Sequence, residues 1–308
     1  MRPSPFTVML TAAVAVAALA STANSQDAHR LRFTAATDLV QVDVAVTSSE
    51  GRYVPGLGLD DFTVLEDGIA QEITHFSAEP SPASLVLLLD VSSSIRPSLG
   101  GVKSGAYRFI RGLSPDDSML IGFFNDDLWF TKEFSNDRVA LAREVQAMRP
   151  RGLTALYDAI LASLQEFPAA HGRKALILFA DGDDSRPAEE GSVASAADAI
   201  EAGKLSEATI YSVGFEGRRA AGRGVNRGFL RQLSANSGGL AFFPKNFEQL
   251  DSSFAQIQTE LKSQYRLSYV PNNTARDGTW REIEIRVDGG ETLIVRSRQG
   301  YYASEPDS

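Results

Sequence analysis

Five short apolar runs constrain this chain more than any other feature: Leu85 to Leu89, Met119 to Phe124, Ala175 to Ala180, Thr209 to Val213 and Leu240 to Phe243. Apolar runs of this length are the mark of strands buried on both faces, which belong to parallel sheets covered by helices. Helical spacing fills the gaps between them. Leu99, Val102, Ala106 and Phe109 recur at steps of three and four. So do Leu156, Ile160, Leu164 and Phe167, with Pro168 as the stop, and Phe247, Leu250, Phe254, Ile257 and Leu261. Strand–helix alternation from Ser84 to about Ser263 predicts a doubly wound, Rossmann-like, mostly parallel α/β sheet. Such sheets bind ligands at the carboxyl ends of their strands.

The flanks have a different texture. Leu39 to Val46 alternates, followed by Phe62-Thr63-Val64-Leu65, a Glu66-Asp67-Gly68 turn and Glu72 to Phe76. Tyr265 to Val270 and Trp280 to Val287 alternate in the same way, and Asp288-Gly289-Gly290 turns into Thr292-Leu293-Ile294-Val295. Short alternating strands punctuated by Asp-Gly read as antiparallel β structure. Either flank alone is too small to build a proper core. The expectation is one antiparallel β-sandwich-like domain built from both chain ends, with the α/β segment inserted at Pro80-Ser81-Pro82. Two separate small β modules are the competing arrangement. The expected organisation is residues 1–25, 26–82 (N-terminal β), 83–263 (α/β), 264–303 (C-terminal β) and a tail at 304–308.

Residues 1–25 have the layout of a secretory signal peptide: Arg2, an apolar stretch from Phe6 to Ala20, then small residues around Ala20 and Ser25. The apolar core of about 15 residues is short for a membrane span of about 20. Cleavage would take the formal charge from −9 to −10, since only Arg2 is lost (29 − 39). No transmembrane span is expected in the mature chain, and its location is expected to be exported, periplasmic or extracellular, of bacterial type. The acidic balance argues against nucleic acid as a partner. The absence of cysteine removes zinc–thiolate sites, thiol catalysis and disulfides together.

The chemistry concentrates where the first apolar run ends. Asp90, Ser92 and Ser94 follow it at i, i+2 and i+4, bringing a carboxylate and two hydroxyls to one sheet edge. Asp181 stands directly after Ala175 to Ala180, a second strand-end carboxylate. Thr154 lies in Arg151-Gly152-Leu153-Thr154-Ala155 at the entry to a helix. Each has an ordinary reading: small residues in a tight turn for the serines, helix caps for Asp90, Asp181 and Thr154. Together, five oxygen-bearing side chains from three distant segments suit a hard divalent cation. Asp183 and Asp184 extend the acidic segment. They read as a solvated loop, or as extra charge that strengthens cation binding or holds a second ion.

The pattern Asp90-x-Ser92-x-Ser94, Thr154, Asp181-Gly182 resembles the metal-ion-dependent adhesion site of von Willebrand factor A domains, over roughly residues 84 to 263. The flanking region before it, with Asp61 to Gly68, is more loosely similar to a bacterial exported family of related proteins described from Acidobacteria. The first resemblance implies that Ser92 and Ser94 ligate the cation directly, and that Thr154 does so directly or through water. Asp90 and Asp181 would supply charge, directly or through coordinated water. Mg²⁺ is the expected ion, with Mn²⁺ or Ca²⁺ as alternatives. The implied partner is a protein that completes the shell with an exposed Asp or Glu. An envelope assembly module without metal-dependent adhesion is the second reading.

Enzymatic readings find little support. A haloacid-dehalogenase-like phosphatase wants a second Asp two residues after its nucleophile, as general acid, and Ser92 stands there. Phosphate-cradling and nucleophile-elbow motifs are missing. His29, His75 and His171 fall in unrelated segments and read as surface residues. No catalytic role is expected. Arg218, Arg219, Arg223 and Arg227 read as a basic surface loop, Asn272-Asn273-Thr274 is a sequon by pattern alone, and Phe123, Phe124, Trp129 and Phe130 read as core and strand-edge packing.

Overall fold

A computed structural model describes residues 39–168, 172–184, 191–215, 225–289 and 293–303. The signal-like segment, the C-terminal tail, His29, His171, Arg218, Arg219 and Arg223 lie outside the described residues. In chain order the elements are β1 (Val40–Ser48), β2 (Phe62–Glu66), β3 (Ile69–Gln71), β4 (Ile73–Ser77), β5 (Ala83–Asp90), α1 (Leu99–Arg111), β6 (Ser118–Phe124), β7 (Leu128–Phe130), α2 (Arg138–Ala147) and α3 (Leu156–Gln165). They continue with β8 (Arg173–Phe179), α4 (Ala196–Leu205), β9 (Thr209–Val213), α5 (Arg227–Asn236), β10 (Ala241–Phe242), α6 (Phe247–Ser263), β11 (Tyr265–Tyr269), β12 (Trp280–Val287), β13 (Leu293–Arg296) and β14 (Gly300–Tyr302).

The middle of the chain forms a six-stranded sheet in the order β10-β9-β8-β5-β6-β7, parallel except for the edge strand β7. Central strand β5 shows why its sequence is apolar at every position. Leu85, Leu87 and Leu89 pack on one face against α1 and α6, through residues such as Phe109 and Phe254. Val86 and Leu88 pack on the other face with Ile160 of α3 and Leu230 of α5. Alternate side chains serve opposite faces, and both faces are covered.

The two ends of the chain share both remaining sheets. β1 pairs antiparallel with β11 and β13, giving the order β13-β1-β11-β4, and β2 pairs with β12 in the order β14-β12-β2-β3. Val40, Val42, Val44 and Val46 of β1, with Leu267 beside them on β11, face Val64 and Ile285 in one core between the sheets. A β-sandwich results, with the α/β layer inserted between its halves. β12 and β13, although successive, belong to different sheets, because β13 takes the free side of β1.

The sandwich docks at the amino-terminal ends of the parallel strands. Arg173, the first residue of β8, is buried and donates to Leu261 O (2.5 Å) and Gln264 O (2.6 Å). Asp43 of β1 approaches its guanidinium at 3.9 Å and holds Arg266 at 2.9 Å. Glu260 of α6 is only 1% exposed. Arg296 of β13 grips it through both guanidinium nitrogens (3.0 and 2.6 Å), and Tyr53 (2.6 Å) and Tyr211 (2.9 Å) donate their hydroxyls to it. Within the sandwich, Tyr269 and Tyr301 likewise donate to the buried Glu66 at 2.8 and 2.9 Å.

Replacing Glu260 with Ala leaves the half-buried Arg296 beside two unmatched phenols. The expected cost is about 3–5 kcal/mol, read as a lower denaturation midpoint in urea. A second expectation concerns alkaline pH. Burial first, then the Glu260 charge, raises the Tyr53 and Tyr211 phenols above their usual value. Burial, then the hydrogen bond to Glu66, does the same for Tyr269 and Tyr301. The unfolded chain releases these protons near about pH 10 while the folded chain holds them. Stability is therefore full below that pH and falls as pH rises above it. Tyrosinate absorbance and circular dichroism, followed together, should change in one joint transition.

Candidate functional site

The sheet order reverses between β5 and β8: β6 and β7 extend to one side, β9 and β10 to the other. At such a switch point the loops leaving neighbouring strands diverge and open a crevice at the carboxyl ends. Asp90 is the last residue of β5, and Asp181 follows the end of β8 by two residues. The two strands are hydrogen-bonded neighbours, with Leu89 opposite Phe179. The two strand-end carboxylates therefore flank the crevice. Both are buried, at 3% and 9% exposure.

Each aspartate folds its own loop in the same way. Asp90 Oδ1 accepts the N–H of Ser92 at 2.7 Å, and Asp181 Oδ1 accepts that of Asp183 at 3.0 Å. An aspartate that binds the backbone two residues on substitutes for a turn hydrogen bond. The first turn brings Ser92, 1% exposed, and Ser94, exposed, together with their hydroxyl oxygens 2.9 Å apart.

Backbone hydrogen bonds draw the Thr154 segment to the same place. Ser93 N–H donates to Gly152 O at 3.1 Å, and Arg151 N–H to Val91 O at 2.8 Å. From the other side, Ala155 N–H donates to Asn125 O (2.7 Å), and the buried Asn125 amide to Arg151 O (3.1 Å). Gly152 has φ +68°, and a β-carbon there would lie 1.6 Å from Asp126 Oδ1. Only glycine fits, for conformation and for space. Asp126 Oδ1 also accepts Leu153 N–H at 3.2 Å and so fixes the approach to Thr154, which is 8% exposed.

Thr154 does not occupy the cap position of α3, which falls on Ala155. Asp184 caps that helix instead. Its Oδ2 accepts Leu156 N–H at 2.7 Å and Tyr157 N–H at 3.3 Å, together with the Ser192 hydroxyl at 2.7 Å. Its Oδ1 accepts Ser192 N–H at 2.9 Å. Asp158 then accepts the N–H groups of Val193 and Ala194, both at 2.9 Å. Asp184 is therefore a half-buried structural anchor and not a solvated loop residue. Asp183, also half-buried, stays beside Asp181.

The structure thus brings together Asp90, Ser92, Ser94, Thr154 and Asp181 at one end of the sheet, with Asp183 beside them. Among the described residues no group of three His, Asp or Glu converges as a metal site. A cation here would rest on hydroxyl oxygens as much as on carboxylates, a donor set that suits a hard ion. The sequence reading missed Asn125, Asp126, Asp158 and Ser192, which hold the site's loops. The Asn125-Asp126-Asp127 run directly after β6 was the available signal for the first two. Of the other residues singled out, His75 is exposed on β4, and the Asn272 amide donates to Ala70 O at 3.2 Å. Arg227 begins α5, 4.8 Å over the Phe243 ring.

A family profile described as the von Willebrand factor type A domain matches residues 84–256. No curated protein matches the chain. Among solved structures, a von Willebrand factor type A protein from Catenulispora acidiphila is similar at 13% identity and TM-score 0.49, over 86% of this chain and 73% of that one. An aerotolerance-related membrane protein from Bacteroides fragilis is similar at 16% identity and TM-score 0.47, over 58% and 98%. A pilus adhesin from Lactobacillus rhamnosus GG is similar at 9% identity and TM-score 0.49, over 82% and 49%. No helix among the described residues is long and apolar enough to cross a membrane.

Asp184→Ala removes the α3 cap and the tether to Ser192 together. The expected loss is about 1–2 kcal/mol, measured by chemical denaturation. Faster amide exchange at Leu156, Tyr157 and Ser192 should accompany it.

Proposed function

Because this chain belongs to the von Willebrand factor type A domain family, we propose that it is an exported protein that binds a protein partner through a divalent cation at the switch-point crevice, the partner contributing an Asp or Glu carboxylate. The observation that carries this reading is the convergence of Asp90, Ser92, Ser94, Thr154 and Asp181 from three segments at the end of the sheet away from the sandwich. Helix capping explains none of the three hydroxyls: α3 is capped by Asp184, and no side-chain cap hydrogen bond comes from Ser92 to the short turn after it.

The residues divide the work by charge. Asp90 and Asp181 supply two negative charges from rigid strand ends, and Ser92, Ser94 and Thr154 supply neutral oxygens. A divalent cation bound there offers an electrophilic centre to an incoming carboxylate. Two carboxylates balance its charge without exceeding it, so these two leave no net negative charge against a third carboxylate that coordinates the ion directly. The hydrogen bonds that Asp90 and Asp181 make to their own loops hold the oxygens in place before any ion arrives, which limits the ordering cost of binding. Mg²⁺ is the ion proposed, with Mn²⁺ and Ca²⁺ compatible with the same oxygens. Export rests on the signal-like residues 1–25. A binding role is favoured over a haloacid-dehalogenase-like one because Ser92 stands where that phosphatase chemistry needs a second acid.

A ligand that binds only the native state stabilises it by RT ln(1 + [L]/Kd), about 2.7 kcal/mol at a hundred times Kd. Thermal melts of the full chain in Mg²⁺, Mn²⁺ or Ca²⁺ should therefore sit higher than melts in EDTA. Asp90→Asn keeps an acceptor for Ser92 N–H and removes the charge, so it should fold normally and lose that shift. Identical melts with and without cation in the unsubstituted protein would sink the metal reading. Pull-downs from a native envelope with and without EDTA then separate metal-dependent adhesion from a metal-independent assembly role.

A further inference from the structure

Three strands turn an open edge toward one cleft of about 650 Å³, a volume typical of ligand sites. On an antiparallel strand, the N–H and C=O of one residue point to the same side, and the side alternates from residue to residue. On β12, Glu282 O accepts Asp67 N–H and Asp288 N–H donates to Asp61 O, so even-numbered residues bond toward β2. Ile283 N–H donates the other way, to Gln299 O, at the end of the β14 pairing. Ile285 has the same parity, lies past the end of β14, and lines the cleft. On β1, Val46 O accepts Val54 N–H, so Ala45 and Thr47 are the residues that bond toward β13 through Arg296 and Ile294. Val295 accordingly turns its backbone outward, into the cleft. On β10, Leu240 O and Phe242 O accept from Ser212 and Gly214 of β9, which leaves Ala241 facing outward at the sheet edge.

The charge around these edges has one sign to spare. Arg296 is committed to Glu260, and Glu284 pairs with Arg286 at 2.8 Å. Arg231 is exposed over the Phe243 ring. Arg298 lies against Tyr301 with its Nε buried and without a hydrogen-bond partner. Arg231 lines the cleft and takes part in no ion pair among the described residues, whereas the charge of Arg298 faces Glu207 and Asp43. We propose that the cleft binds an extended acidic peptide segment of another protein, which adds as a strand to the open edges at Ile285, Val295 and Ala241 and places a carboxylate on Arg231. Backbone pairing would supply affinity, and Arg231 the preference for acidic sequences. The cleft lies beside the sandwich, away from the crevice at Asp90 and Asp181, so this interaction needs no cation.

The test is selection from displayed random peptides of about ten residues on the full chain in EDTA. Enriched peptides should be acidic. A synthetic copy should slow amide exchange at Ile285, Val295 and Ala241, and methylation of its alternate backbone nitrogens should abolish binding. Arg231→Gln, at an exposed position, should weaken binding about tenfold, the loss of one charge-assisted hydrogen bond, while Asp90→Asn leaves it unchanged. Failure to enrich any peptide, protection elsewhere, or indifference to Arg231→Gln overturns the proposal. So does concentration-dependent protection of the same three amides without peptide, which would make a second copy of the chain the occupant.

Discussion

The relation between the two layers of this protein hangs on one buried carboxylate. Glu260 collects a two-nitrogen grip from Arg296 and hydroxyl bonds from Tyr53 and Tyr211. Arg296 and Tyr53 belong to the sandwich side, and Glu260 and Tyr211 to the α/β side. Taking a carboxylate out of water is costly unless its hydrogen-bonding capacity is met, and only one arrangement of the layers meets it. The contact thus selects an orientation as well as adding stability. Arg173, Asp43 and Arg266 repeat the same logic nearby. With the amino-terminal ends of the parallel strands committed in this way, the carboxyl-terminal ends remain as the open face.

That division explains how the crevice can be both polar and firm. Its side chains stand at the ends of strands whose bodies are apolar on both faces, so the carboxylates sit at the limit of the core. The loops are fixed from below by Asn125, Asp126 and Asp184, residues that spend their oxygens and amides on backbone groups. Gly152, at φ +68°, lets the chain turn where Asp126 holds the Leu153 amide.

Much of this was legible in the sequence, because the signals were local. Apolar runs marked β5, β6, β8 and β9, period-2 alternation marked β1 and β12, and the spacing of Asp90, Ser92 and Ser94 marked the end of a strand. The features that escaped were set through space. α2 contributes only Leu141, Ala142 and Val145 to the core, too few for a clear stripe. Asp184 looks, in sequence, like any acid in an acidic loop; its role depends on a helix that starts 28 positions earlier. Nothing in Asp288-Gly289 announces that the strands on either side belong to different sheets, since β1 decides that.

The pairing of β1 with both β11 and β13 has a mechanical consequence. The chain enters the α/β layer after β4 and leaves it at β11; these two strands pair antiparallel with each other, and β11 pairs in turn with β1. A pull applied across residues 40 and 303 would load the β1 ladders beside residue 40 and the β14–β12 ladder beside residue 303, all of them within the sandwich. The inserted layer lies off that line of tension. The crevice at Asp90 and Asp181 would keep its shape on a chain under strain until the sandwich itself gave way.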